Sequence, residues 1–225
     1  MKVLIFDSGP LINFTLNGML PVLEQMKKKG QIKFIITSEV KREIYDHPVT
    51  IKQFELGALR MRDLIDRGVL EMPETLGVSS ELITQQTRDL TDKANHSLQA
   101  DGQWVPLVSE AEISCFALAN ALKEKRIENM IAVDERTARM LSEKPESLAK
   151  LMAQKLHRNV KLILKLKEMQ DAKCVRSSEL LYVAYKQGLF PVKDPRTLEA
   201  LLYASKFKGS SISWDEIEQL KRISN

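Results

Sequence analysis

The chain has 225 residues, 44% of them apolar, with 34 Lys and Arg against 30 Asp and Glu for a formal net charge of +4. These figures describe an ordinary globular protein of one elaborated domain or two small ones, and a balance this mildly basic permits a polyanionic partner without requiring one. Cys115 and Cys174 have neither metal-ligand nor disulfide-framework spacing, no apolar run approaches the roughly 18 residues of a membrane span, and the chain opens directly on a strand, so a membrane-bound or disulfide-stapled protein is excluded and a cytoplasmic one without a signal peptide is expected.

In chain order, Val3, Leu4, Ile5 and Phe6 form a short apolar run closed by Asp7-Ser8-Gly9-Pro10, the pattern of a buried strand ended by a turn. Ligands bind at the carboxyl ends of strands in open α/β sheets, so Asp7 is expected at that rim. The turn residues after it call for no helix cap at Asp7. Helices are predicted over 9–18 and 20–29, the second with Pro21 in its first turn, three lysines near its end and Gly30 as its stop. Residues 32–36 read as a second strand. Thr37-Ser38 starts a helix that His47-Pro48 ends.

Residues 46–104 are expected as a helical insertion over the sheet, with helices at 50–67 and 79–98 and a short strand at 69–72. Ser109 opens a strongly apolar helix over 110–124, and a third core strand, 129–133, ends at Asp134. Helices after Asp134 and at 146–156 lead to a fourth strand at 160–164. Helices at 177–188, 195–206 and 213–223 complete the chain, the last opened by a Ser213–Glu216 capping box. Strands alternating with helices predict a parallel sheet in an α/β sandwich. The expected division is a domain over 1–165 and a helical C-terminal extension over 166–225.

Four acidic residues fall at equivalent places: Asp7 and Asp134 at strand ends, Glu43 and Glu112 in helices that follow loops. Strand ends and the helix turns after them share one rim of a parallel sheet. Carboxylates gathered there repel one another unless a cation joins them. Oxygen donors without a Cys or His cluster suit Mg²⁺ or Mn²⁺, which in phosphodiester hydrolysis orients phosphate, activates water and stabilises the leaving oxygen. Plainer roles stand beside this one. Asp134 can cap the helix after it, Ser109 and Glu112 form a capping box, and Glu43 can pair with nearby basic side chains. Glu110 competes with Glu112 but points to the opposite side of its helix, and Glu39 competes with Glu43 on a shared face.

At these residues the chain resembles the PIN-domain ribonucleases, the family of VapC-type toxins and ribosomal-RNA processing nucleases. The pieces that carry the resemblance run from Val3 through Asp7-Ser8-Gly9-Pro10 to Ile12, from Thr37 through Glu43 to Ile44, from Leu107 through Ser109 and Glu112 to Ala119, and from Ile131 through Asp134 to Arg139. The resemblance implies a three-layer α/β/α sandwich and a metal-dependent endoribonuclease, with Asp7, Glu43, Glu112 and Asp134 as catalytic residues and ligands of one or two Mg²⁺ or Mn²⁺ ions. It also implies that Ser8, Lys41, Arg42, Arg136 and Arg139 hold the substrate. RNA (tRNA, rRNA or mRNA) is the implied partner, with a homodimer, and an antitoxin or a ribosome-associated protein as further partners. The long insertion departs from compact toxin members and is closer in outline to archaeal processing-type members. Further basic residues, Lys155, Arg158, Lys161, Lys165 and Lys167, can widen the RNA footprint or simply aid solubility.

Other readings stay open. A PIN-like domain can be a non-catalytic RNA- or protein-binding module. Phe6-Asp7-Ser8-Gly9 also resembles the opening of haloacid-dehalogenase-like phosphatases, but Gly9 stands where their second Asp belongs. It resembles the opening of glutamate racemases too, but neither cysteine sits in a matching motif. His47, His96 and His157 are scattered, and Trp104 can anchor the insertion or stack on a base.

Overall fold

The computed structural model describes residues 2–164, 166–170 and 172–224; Lys165, one of the basic residues named above, lies outside the described residues. In chain order the elements are β1 (Lys2–Phe6), α1 (Ser8–Leu16), α2 (Leu20–Gly30), β2 (Ile32–Ile35), α3 (Ser38–Lys41), α4 (Glu55–Asp66), α5 (Ser80–Asn95), β3 (Leu98–Ala100), β4 (Gln103–Trp104) and α6 (Glu110–Glu124). There follow β5 (Glu128–Ala132), α7 (Arg136–Glu143), α8 (Leu148–Leu156), β6 (Val160–Leu162), β7 (Cys174–Val175), α9 (Ser177–Lys186), α10 (Thr197–Phe207) and α11 (Trp214–Ser224).

The main sheet is α/β in character: four parallel strands in the order β2-β1-β5-β7. Side chains alternate faces along a strand, yet Val3, Leu4, Ile5 and Phe6 are all buried, so both faces of β1 are covered. A near-continuous apolar run is what a doubly covered parallel strand requires. One cover is α6, whose small residues Ala111, Ser114, Cys115, Ala117 and Ala119 allow close approach to the sheet. The Cys115 thiol reaches the Phe6 carbonyl at 3.6 Å. Phe6 and Phe34, on neighbouring strands, meet edge to face with ring centroids 5.1 Å apart.

Several expectations need correction. The strand near 160–164 exists, but β6 belongs to a second sheet, antiparallel, in the order β4-β3-β6. The insertion over 46–104 is therefore not all helix, because it contributes β3 and β4. The fourth parallel strand is β7, inside the segment expected to be a helical extension; it is tied to β5 by Ile131 N donating to the Lys173 carbonyl just before it at 2.8 Å and Val133 N to Val175 O at 2.9 Å. One hydrophobic core extends from Val3 to Leu201, with a small second cluster of Leu198, Leu202, Ile212 and Ile217. Residues 69–72 make no strand but a single parallel bridge between Glu71 and Ile35, tied by Glu71 N to Phe34 O and Ile36 N to Glu71 O. Lys27 and Lys33 both bind the Glu71 carboxylate there, at 2.6 and 2.9 Å.

Phe34 is 1% exposed and packs its ring against Phe6. Phe34→Ala is expected to cost about 3–5 kcal/mol of unfolding free energy, read from urea titrations followed by circular dichroism. A loss below about 1 kcal/mol would place that ring outside a packed core.

Candidate active site

Parallel pairing of β1 with β5 sets the site. Phe6 is in register with Ala132, and the ladder runs one bond further, from Asp7 N to Ala132 O at 2.9 Å. Both strands end together, so Asp7 and Asp134 leave the sheet at the same rim, each 3% exposed. Gly9 sits between them: a Cβ on it would lie 3.4 Å from Asp7 Oδ2 and 3.7 Å from Asp134 Cβ. Gly9 thus lies against both acidic residues.

Each carboxylate is held differently. Asp7 is the N-cap of α1 after all, accepting a long 3.4 Å bond from Gly9 N. Its Oδ1 is buried without a hydrogen-bond partner. Burial, then the nearby Glu112 and Glu43 charges, push its carboxyl from 3.8 up to about 8, against the backbone N–H groups of Ser8 and Gly9. Asp134 does not cap α7; Glu135 does, accepting from Arg136 N at 2.9 Å. Asp134 Oδ1 accepts from Ser177 N at 2.8 Å and Ser177 Oγ at 2.9 Å, while Oδ2 is buried and unpartnered. Burial raises its carboxyl as well, and the Ser177 bonds counter this.

Glu112 is the member of its pair that turns inward; it is 8% exposed, whereas Glu110 is exposed and pairs with Arg42 at 2.8 Å. The capping box is real: Ser109 N donates to Glu112 Oε2 at 2.7 Å, and Glu112 N donates to Ser109 Oγ at 3.2 Å. Burial raises the Glu112 carboxyl, with the Glu135 and Glu43 charges adding to it. Glu43 lies in a turn of π-helix, Arg42–Asp46, that continues α3. Such turns are rare and often fall at functional sites. Glu43 is exposed and accepts from Ser8 Oγ at 2.6 Å, which ties α1 to that turn. Its competitor Glu39 is 5% exposed and accepts from Thr84 on α5 at 2.7 Å.

The basic residues expected around the site are mostly engaged. Lys41 pairs with Asp46 at 3.4 Å, Arg42 with Glu110, and Arg139 with Glu143 at 3.2 Å. Arg136 is exposed on the first turn of α7. Lys155 pairs with Glu135 at 3.3 Å; partial burial raises the Glu135 carboxyl, but Thr137 and Lys155 hold it below the usual range.

Sequence reading missed Ser177 and Arg176. Both follow β7, at the same rim as Asp7 and Asp134. Arg176 is 6% exposed and binds Glu179 at 2.7 Å and Glu216 at 2.8 Å. The signal was present in Arg176-Ser177-Ser178-Glu179, a helix start, but its strand is too short to announce a rim position.

The donor set fits a hard divalent cation: carboxylate oxygens only, two of them buried and unsatisfied, under mutual repulsion. Among the described residues, however, no three His, Cys, Asp or Glu side chains stand close enough together to hold one ion as placed. Compared with protein-family models, curated proteins and solved structures, the chain matches none. No helix among the described residues is long and apolar enough to cross a membrane.

The folded chain binds the Asp7 proton more tightly than the unfolded chain. That protonation stabilises the fold fully below the ordinary 3.8, and the contribution is lost as pH rises through about 8. Without added metal, thermal stability is expected to fall between pH 4 and 8 and to flatten in Asp7→Asn, which overtakes the wild type near pH 9. Melting temperatures across that range check this, and parallel curves for the two proteins would refute it.

Proposed function

We propose that the protein is a metal-dependent endoribonuclease of PIN-like architecture that hydrolyses RNA phosphodiester bonds at the rim occupied by Asp7, Glu43, Glu112 and Asp134. The observation that carries this reading is the pair of buried, unpartnered oxygens, Asp7 Oδ1 and Asp134 Oδ2, on residues that follow adjacent parallel strands and that both lie near Gly9. Unsatisfied buried carboxylate oxygens are costly, and a bound cation is one reason for a protein to retain them.

In this reading Asp7 and Asp134 would hold Mg²⁺ or Mn²⁺, with Glu112 and Glu43 at the flank. The bound cation supplies charge neutralisation and water activation. Ser177 acts as a positioning residue, fixing Oδ1 of Asp134 and leaving Oδ2 without a protein partner among the described residues. Ser8 orients Glu43. Arg136, at the rim and without a side-chain partner among the described residues, takes a substrate phosphate; Lys41, Arg42 and Arg139 would first have to leave their carboxylate partners. A cytoplasmic protein working on tRNA, rRNA or mRNA, as a homodimer or beside an antitoxin or ribosomal partner, is consistent with this reading and rests on the family resemblance alone.

The second reading, a non-catalytic RNA- or protein-binding module, also has support. Glu112 gives one oxygen to the Ser109 amide, and among the described residues no three candidate ligands converge as placed. Cleavage of a structured RNA in Mn²⁺ separates the two. Wild type is expected to cut, and Asp7→Asn to lose at least the roughly 10–100-fold that even outer-shell changes cause. Uncut RNA, or equal cutting by the variant, leaves the binding module. Ser177→Ala is expected to shift the Mn²⁺ titration midpoint upward by about tenfold while leaving the melting temperature above that of Phe34→Ala. An unmoved midpoint would deny Ser177 its positioning role.

A further inference from the structure

A groove of about 930 Å³ lies between α7 and the loop joining α10 to α11. It begins beside the candidate active site. Ser210, on its wall, hydrogen-bonds Ser178 at 3.1 Å, and the neighbouring Ser177 binds the Asp134 carboxylate. Arg136, two residues beyond Asp134, lines the same groove.

The walls are basic. Arg139 and Arg176 are matched there by the groove's two carboxylates, Glu143 and Glu216. That leaves Arg136, Lys144 and Lys206 as excess positive charge along the floor. Arg136 and Lys144 are exposed and have no side-chain partner among the described residues.

At the α10–α11 end the groove meets aromatic rings. Phe207 is 71% exposed and Trp214 50% exposed, with centroids 6.0 Å apart, and Tyr203 stands 5.5 Å from Trp214. Lys206 Nζ lies 4.3 Å from the centroid of the Trp214 ring and donates to the Ile212 carbonyl. Both rings stay open to solvent beyond these mutual contacts, with the Lys206 ammonium beside Trp214. A single strand of nucleic acid uses both features: its phosphates follow cations and its unpaired bases stack on ring faces.

We propose that this groove is a binding track for single-stranded RNA, with bases stacked on Phe207 and Trp214 and phosphates on Arg136, Lys144 and Lys206. The track leads the strand toward Asp134. Its role as a substrate path rests on the nuclease reading, but its capacity to bind does not. A duplex cannot offer base faces to the rings, so the track selects unpaired segments.

The test uses the full chain in EDTA, where no cleavage occurs, with a fluorescein-labelled twelve-nucleotide oligouridylate and a duplex of equal length as probes. Phe207→Ala is expected to weaken oligouridylate binding at least about fivefold, the lower end for loss of one stacked base, at unchanged melting temperature. Lys144→Gln is expected to lower the salt dependence of binding by about one ion-release unit. With Trp104→Phe, Trp214 becomes the sole tryptophan, and its emission is expected to quench in step with binding. Equal affinity of Phe207→Ala and wild type, unquenched Trp214 at saturation, or a duplex bound as tightly as the single strand would each overturn the track. If these results hold while RNA remains uncut in Mn²⁺, the track stands and the nuclease reading falls.

Discussion

The in-register parallel pairing of β1 with β5 is the constraint on which the rest depends. Parallel strands end on the same side, so whatever residue follows each run is delivered to a common rim. In this chain those residues are Asp7 and Asp134. Burial there raises the free energy of the ionised carboxylates, and the surroundings answer only in part: Gly9 donates one long bond to Asp7, and Ser177 two good ones to Asp134. The remaining oxygens stay unsatisfied, and from that deficit the functional reading grows.

The C-terminal segment is bound into the same rim. Ser177 passes its interaction on to Ser205 at 2.9 Å, and Asn13 of α1 donates to the Ser205 carbonyl at 2.8 Å, all three side chains being buried. A continuous polar path therefore joins the Asp134 carboxylate, just past β5, to α10 and back to α1. Arg176 clamps α11 through Glu216 while its own helix supplies Glu179. A buried guanidinium is tolerated here because two carboxylates neutralise it and accept its N–H groups, and removing one of them would leave it with a single partner. The helices after residue 176 are thus part of the site's architecture, and they also form the far wall of the basic groove.

Main-sheet strands and the major helices were legible because their apolar periods are strong and local. The run at Val3–Phe6, the apolar α6 and the strand before Asp134 all announce themselves within a few residues. Ser109 and Glu112 are close enough in sequence for their reciprocal bonds to be anticipated. β7 escaped because two residues carry no period, and β6 was given to the wrong sheet because a strand's partner is not written in the strand. Asp7 was read as having no capping role, since Gly9 and Pro10 obscure the start of α1.

The sequence by itself determined the α/β alternation, the acid at the end of each central strand, and the inward turn of Glu112 over Glu110, because these depend on short-range periodicity and handedness. Only the tertiary structure decided that Ser177 would grip Asp134, that Arg42 would face Glu110, that Phe207 and Trp214 would stand together beside the groove, and that β7 would close the sheet. Those outcomes join residues tens of positions apart, and long-range pairing is settled by the packing of the whole chain rather than by any local preference.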